Sequence, residues 1–366
     1  MIKPARLRRL LTNLLDIYSP SGKEEDVVDF LHGYLKRRGL PVVRQEVDER
    51  RSNLVVAPAG NEAQVAFIGH LDTVGAFDLE DFGHEEDGDM VIGLGASDMK
   101  SGCAAMIETF VSLYEDGARD FPLILALVVG EEEEGDGAQA LAGDYHFPWA
   151  VIGEPTDLEV CLSHYGYMEI QAQARGRGYH ASLARNGHNP IEDMLRLLLR
   201  VTDYLGSQRP ELVYNIRDLF STGGGFAVPE SCETWLDVHL PPTTNASEIS
   251  LELEDQFERE RQANPSLEAR LWFHTVQAGF TLPEKGPLVE VLRDVFAAEK
   301  LAWTPRAFPS HSDANLLWSL GVKPIILGCG RLEMAHRPEE AVSFAQVTRA
   351  AEIFHKTALG LLSRKG

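Results

Sequence analysis

The sequence predicts an α/β protein in which one α/β domain is interrupted by an inserted α+β domain. Three observations carry that expectation. Short, nearly continuous apolar runs alternate with amphipathic helical stretches up to about residue 167, the pattern of strands covered on both faces. Between about 168 and 276 the strands instead alternate apolar and polar residues, as half-exposed antiparallel strands do. From about 277 the first pattern returns. The predicted domains are therefore 1–167 and 277–366 for the α/β part and 168–276 for the insertion.

Leu7, Leu10, Leu11, Leu14, Leu15 and Tyr18 fall at helical spacing. That helix stops at Ser19-Pro20-Ser21-Gly22, where Ser21 can cap a second helix with Glu24 as its capping-box partner. Strands are expected at 53–57, 65–69, 123–129 and 150–153, with a helix over 101–114. In the insertion, strands over 167–175, 233–240 and 267–274 accompany helices over 190–205 and 248–261. Helices over 288–299, 314–320 and 343–362 and a strand over 324–327 complete the chain.

Composition narrows the function. The 366 residues include 34 Lys+Arg against 56 Asp+Glu, a net charge of −22. Such a surface repels phosphate backbones and anionic lipid, so neither nucleic acid nor a membrane surface is an expected partner. The four cysteines, Cys103, Cys161, Cys232 and Cys329, form no Cys-x-x-Cys pair. They read as reduced thiols of a cytoplasmic protein. Thr12, Asn13 and Asp16 interrupt the apolar residues of the first helix, which therefore does not read as a signal peptide.

Five candidate metal ligands stand at predicted strand ends or in the turns after them. They are His70 in Gly69-His70-Leu71-Asp72, Asp98 before a helix, a member of the run 131–134 (four glutamates), Glu154 in Gly153-Glu154-Pro155, and His336 in Ala335-His336-Arg337-Pro338. Singly, each has an ordinary explanation as a cap, turn or solvated loop. Together they lie where open α/β sheets bind ligands. Two imidazoles and three carboxylates can hold two divalent cations if one carboxylate bridges, a centre that polarises a carbonyl and activates water.

The order of these motifs resembles the M20 metallohydrolases over nearly the whole chain. The resemblance rests on Ser-Pro-Ser-Gly, His70-Leu71-Asp72-Thr73-Val74, Asp98-Met99-Lys100-Ser101-Gly102, the Glu-Glu turn, Gly153-Glu154-Pro155-Thr156 and the late Ala-His-x-Pro-x-Glu. It implies a zinc-dependent exopeptidase-like α/β catalytic domain with an inserted lid that dimerises. It also implies two divalent ions, Zn²⁺ or alternatively Co²⁺ or Mn²⁺, bridged by Asp98. His70 and Glu154 would complete one site. His336 and a glutamate of the turn would complete the other.

The family commonly reads Asp-Glu-Glu-x-Gly. Anchored on Gly135, that makes Glu132 the general base and Glu133 the ligand; a one-residue slip makes them Glu131 and Glu132. Asp72 would orient the His70 ring. His180, in Gly178-Tyr179-His180-Ala181-Ser182, would stabilise the oxyanion, and Asn189 falls in the Gly-x-Asn segment that follows. Two departures touch substrate recognition. Phe226-Ala227-Val228-Pro229 lacks the family's asparagine after Gly223-Gly224-Gly225, and Asp237-Val238-His239 puts an imidazole where the family has an arginine. His239, His311 and Arg331 are then candidates for substrate contact. The implied activity is removal of an acyl group from an N-acylated amino acid of the acetylornithine or acetyl-lysine kind. The alternatives are a carboxypeptidase or di/tripeptidase acting on short peptides, and a metal-binding protein without turnover.

Overall fold

The structure, a computed structural model, describes residues 1–76, 82–119, 121–186, 188–223 and 225–364. Gly187 and Gly224 of the motifs above lie outside the described residues. The chain divides into two compact units. The first comprises Met1–Ser163, Leu282–Phe308 and Ser312–Gly366, and the second His164–Thr281 and Pro309–His311. The boundaries expected at 167/168 and 276/277 fall inside two strands of the second unit, Gly166–Arg175 and Glu268–Gln277. Alternation marks where a strand is, not where the chain crosses between units.

In chain order the first unit opens with α1 (Pro4–Leu15), α2 (Glu25–Lys36), β1 (Val42–Glu46), β2 (Ser52–Val56), β3 (Val65–His70), β4 (Glu85–Asp87) and β5 (Met90–Ile92). It continues with α3 (Lys100–Glu115), β6 (Leu123–Val128), α4 (Asp136–Asp144), β7 (Trp149–Ile152) and β8 (Cys161–His164). The second unit holds β9 (Gly166–Arg175), α5 (Pro190–Gln208), β10 (Val213–Ser221), β11 (Ser231–Leu240), α6 (Ala246–Ala263), β12 (Glu268–Gln277) and β13 (Phe280–Thr281). The first unit resumes with α7 (Pro287–Ala298), β14 (Arg306–Phe308), α8 (Asp313–Ser319), β15 (Lys323–Ile326), β16 (Ala341–Ser343) and α9 (Phe344–Ser363).

The main sheet of the first unit runs β1-β2-β6-β3-β7-β15-β8. Its centre is parallel, β6 and β7 flanking β3 and β15 joining β7, while β2 and β8 pair antiparallel. Every residue of β3, β6 and β7 is buried, which is why these strands read as unbroken apolar runs. Helix α3 packs on β3 and β6 and against α1 and α9, and all its residues except Glu115 are buried. Phe67 of β3 meets Phe110 and Phe354 edge-on at 5.7 and 6.0 Å, an arrangement that adds to plain area burial.

Two charged side chains tie α1 to this core. Lys100 Nζ donates to the carbonyls of Leu14 (3.0 Å) and Ile17 (2.7 Å) at and just beyond the helix end. Arg6 donates to the fully buried Glu108 through Nε (2.6 Å) and Nη2 (2.8 Å). A small sheet, β16-β5-β4, lies apart from the main one. It pairs Val342 with Val91 and so sets the segment after His336 beside the segment before Asp98.

The second unit is an antiparallel sheet, β10-β11-β9-β12. Helices α5 and α6 pack on it and on each other. Met168, Ile170, Leu236 and Val238 from the strands and Leu197, Val201, Leu253 and Phe257 from the helices form its core. The edge strand β10 is almost wholly exposed. Its pairing with β11 slips at Arg217, the extra residue of a bulge between Ile216 and Asp218.

One predicted cap is corrected. Ser21 does not cap α2, whose N-cap is Glu24 without a side-chain bond. The Ser21 hydroxyl instead donates to Asp72 Oδ2 at 2.7 Å. A charged acceptor makes a stronger hydrogen bond than a neutral amide partner would. No described helix is long and apolar enough to cross a membrane.

Candidate metal centre

The first unit brings six acidic and imidazole side chains together at the carboxyl ends of its parallel strands. His70 is the last residue of β3, Glu131 and Glu132 follow β6, and Glu154 follows β7. Asp98 stands just ahead of α3, and His336 in the loop between β15 and β16. His336 holds φ +57°, a conformation that non-glycine residues keep only when their surroundings enforce it.

Asp98 is central. Its Oδ1 lies 3.2 Å from His70 Nε2 and its Oδ2 3.7 Å from His336 Nε2, so its two oxygens face two different imidazoles. His336 Nε2 is also 3.0 Å from Glu132 Oε2. Around His70 Nε2 stand Glu131 Oε2 at 3.8 Å and Glu154 Oε1 at 3.9 Å. One ligand atom each from His70, Asp98 and Glu132 falls within a 4.8 Å cluster.

The chemistry of this set fits divalent cations. His70 Nδ1–H donates to the carbonyl of Asp72 at 3.0 Å, which leaves Nε2 facing the carboxylates, as a proton donor when the ring is charged and as a ligand atom when it is neutral. Acceptors facing acceptors in a buried site call for a cation between them. Glu154 Oε1 is buried with no hydrogen-bond partner among the described residues. Burial raises Glu131 and Glu154 well above the ordinary carboxyl range, with neighbouring carboxylates adding to it. Burial opposes charge on His70, but its hydrogen bond to Asp98 and the nearby glutamates outweigh that and hold its pKa well above 6.5. The hydrogen bond to Glu132 raises His336 to about 9. Each of these shifts reports one crowd of negative charge.

The glutamate run takes the geometry of the one-residue slip rather than of the register anchored on Gly135. Glu131 and Glu132 face the imidazoles, while Glu133 is exposed and lines a surface hollow with Asp48, Arg51, Glu134 and Asp136. The cause lies in the main chain. The carbonyl of Gly130 accepts from the amides of Glu134 (3.1 Å) and Gly135 (2.8 Å), winding 131–134 into one turn. The first two side chains then point inward and the last two outward. Asp72 holds this turn: its Oδ1 accepts from Glu131 N (3.2 Å) and its Oδ2 from Glu132 N (3.0 Å). The Asp72 carboxylate is 3.7 Å from His70 Nδ1, beyond hydrogen-bond reach. The imidazole is thus oriented by the Asp72 carbonyl, and the carboxylate grips the glutamate turn.

Close packing supports Glu154. A Cβ on Gly102 would come within 2.3 Å of the Gly153 carbonyl oxygen, and one on Gly328 within 2.5 Å of that of Glu154. Glycine lets α3 and the β15 turn press against the chain carrying this candidate ligand.

The remaining candidates lie elsewhere. His180 is exposed in the second unit, its Nδ1 2.8 Å from Ser182 Oγ. Asn189 caps α5, accepting from Ile191 N at 3.1 Å. His239 and His311 flank Tyr167, with ring centroids at 5.4 and 4.9 Å. His239 Nδ1 is buried with no hydrogen-bond partner among the described residues, and His311 Nε2 meets Gln277 Oε1 at 2.9 Å. The Arg331 side chain belongs to the first unit and is exposed, 3.6 Å from Glu333.

Two residues escaped the sequence reading. Arg217, placed by the β10 bulge, donates to Asp237 Oδ1 at 3.2 Å and to Glu169 Oε1 at 2.8 Å. The sheet therefore has a guanidinium near Asp237 although position 239 is histidine. Glu340 sits at the end of the Ala-His-x-Pro-x-Glu motif and gathers the amides beside Asp98. Its place in that motif was the available signal.

Known proteins resemble this chain in sequence and in fold. The sequence profile of Peptidase family M20/M25/M40 matches residues 66–360. A Pyrobaculum aerophilum protein provisionally named LysW-lysine/LysW-ornithine hydrolase is 29% identical over 97% of this chain and 98% of its own. A succinyl-diaminopimelate desuccinylase of Corynebacterium glutamicum is 27% identical over 94% of both chains. Among solved structures, a Staphylococcus aureus tripeptidase shares the fold with a TM-score of 0.83 at 18% identity, covering 99% of this chain and 100% of its own. A Bacillus subtilis protein described as a dinuclear metal-binding peptidase of the M20 family shares it at 0.69 and 13% identity, over 98% of each chain. A profile spanning most of the chain, over residues that bring His70, Asp98, Glu132, Glu154 and His336 together, shows that this chain belongs to peptidase family M20/M25/M40 and is an amide hydrolase of that family.

Proposed function

We propose that the chain removes an acyl group from an amine of a diamino acid, a substrate of the acetylornithine or acetyl-lysine kind, at a centre of two divalent cations, zinc in the first instance. The observation that carries the reading is Asp98, whose two oxygens face His70 and His336 separately. His70, Asp98 and Glu154 would hold one ion. Asp98, Glu132 and His336 would hold the other. Bound there, the ions supply Lewis acidity toward the scissile carbonyl and lower the pKa of water.

The chain's own residues do the proton work. Glu131 is 8% exposed and lies beside the centre without being among its proposed ligands. It takes a proton from the attacking water as the C–O bond forms. It returns that proton to the amine nitrogen as the C–N bond breaks, leaving a carboxylic acid and an amine, which become carboxylate and ammonium when the acid's proton passes to the amine. Asp72 keeps Glu131 and Glu132 aimed by their backbone amides. His180 is our candidate donor to the tetrahedral oxygen. His239, His311, Asn189 and Arg331 are candidates for holding the rest of the substrate.

The names of the two full-length relatives support the substrate class, since lysine, ornithine and diaminopimelate are all diamino acids. We further propose a homodimer through the second unit. Supporting it, β10 exposes Val213, Leu219 and Phe220, and α5 exposes Leu195 and Leu199, an apolar surface large for a free edge. The four cysteines are free and buried, which fits a reducing compartment, and we read the enzyme as cytoplasmic.

The test is a panel of acetylornithine, acetyl-lysine, succinyl-diaminopimelate and free di- and tripeptides. The proposal expects the acylated diamino acids to show the highest kcat/KM. Preferential cleavage of unblocked peptides would replace it with the peptidase reading.

A further inference from the structure

Glu340 is 1% exposed, and its carboxylate is occupied entirely by main chain. Its Oε2 accepts from Gly95 N at 3.0 Å, and its Oε1 from Ser97 N at 2.7 Å and Asp98 N at 2.8 Å. Its own carbonyl accepts from Gly93 N at 2.9 Å, and its amide donates to Arg337 O at 3.2 Å. One residue thus binds the segment that presents Asp98 and the segment that presents His336. Gly93 and Gly95, at φ +153° and +84°, curl the chain so that several amides point at one spot, a concavity that suits an anion. The antiparallel pairing of β16 with β5 brings the carboxylate there. A second tie runs in parallel: Ser97 Oγ donates to Arg331 O at 2.9 Å and accepts from Arg331 N at 2.8 Å.

We propose that Glu340 is a positioning residue that sets the separation of Asp98 from His336, and with it the ability of the centre to hold the cation between them. The inference rests on the metal-centre reading above. It requires a carboxylate specifically. Three amide donors converge on two oxygens, and glutamine would turn an NH₂ group toward one of those donors. Aspartate is shorter by one methylene and cannot span the same amides without moving the chain.

The test compares wild type, Glu340→Gln and Glu339→Gln, each confirmed as folded by circular dichroism. Each is loaded with Co²⁺, and metal retention is followed against graded chelator together with the visible spectrum of bound cobalt. Glu340→Gln is expected to weaken retention of one of the two ions by about 10–100-fold, the usual effect of losing a residue that orients a ligand. The cobalt spectrum should change, and kcat should fall with KM within about threefold. Glu339→Gln, at an exposed neighbouring position, should change retention by less than about threefold. Two cobalt ions held by Glu340→Gln with wild-type affinity and spectrum would overturn the proposal.

Should Glu340→Gln not fold, amide exchange in the metal-free wild type decides. The amides of 95–98 are expected to exchange at least about 100-fold more slowly than in a free peptide. Free-peptide rates would overturn the clamp. A wild type that binds no metal would instead overturn the metal-centre reading, and the exchange measurement would still report on the clamp.

Discussion

Glutamine at Glu131 removes the proposed base while keeping the side-chain volume and one acceptor oxygen. Glu131 is 8% exposed, its Oε2 lies 3.8 Å from His70 Nε2, and its amide is fixed by Asp72. The substitution therefore leaves the turn in place and takes away only the transferable proton. A positioned acid–base group contributes about 10²–10⁴ in rate, which at about 1.36 kcal/mol per tenfold is about 2.7–5.4 kcal/mol of barrier. The loss is expected in kcat, with both metal ions retained. Glu132→Gln touches a different function, since Glu132 Oε2 is 3.0 Å from His336 Nε2. It should weaken metal retention about 10–100-fold. Glu133→Gln alters an exposed side chain and should stay within about threefold of wild type. Steady-state kinetics with metal analysis on the three variants reads all of this. A collapse of kcat in Glu133→Gln with retained activity in Glu131→Gln would refute the reasoning and restore the register expected from the sequence.

Three further outcomes follow from the packing. Glu108→Ala leaves Arg6, only 15% exposed, with the more exposed Glu115 in place of its buried partner. It should destabilise the first unit by about 3–5 kcal/mol and lower Tm by on the order of 10 °C in calorimetry; an unchanged Tm would contradict the pairing. Burial, with His239 adding to it, lowers the pKa of His311 to about 4. The unfolded chain therefore binds the extra proton, and stability falls as pH drops from about 6.5 toward about 4. Between about pH 7.5 and about pH 5 the loss from this group is about 2 kcal/mol. His311→Gln should flatten the pH dependence of chemical denaturation by that amount, and an unaltered profile would refute the assignment. Leu199→Glu with Phe220→Glu charges two apolar side chains that are 63% and 51% exposed. Sedimentation should show a dimer become a monomer, and a wild type that is itself monomeric would end the dimer proposal.

Much of the fold was legible because burial leaves a simple trace. Strands β3, β6 and β7 are covered on both faces and read as unbroken apolar runs, whereas β9 alternates because one face is open. The candidate ligands stood out as a set in the sequence because most of them punctuate the ends of those strands. What escaped depends on main-chain geometry that residue types do not encode. The glutamate register is set by the Gly130 carbonyl capturing two amides. Ser21 was drawn from its cap by the Asp72 carboxylate. Arg217 reaches Asp237 only because a bulge turns it there. Strands β4 and β5, three residues each, are too short for any period to show. They nevertheless create the pairing that brings Glu340 to Asp98.

The central claim is that Asp98 bridges two cations that the reaction requires. Its most direct test is metal content per chain, measured on the purified protein before and after chelation, with turnover of acetylornithine followed on the same samples. The account predicts close to two ions per chain, activity lost on chelation, and recovery when Zn²⁺ or Co²⁺ is restored. Undiminished turnover in metal-free protein would contradict it.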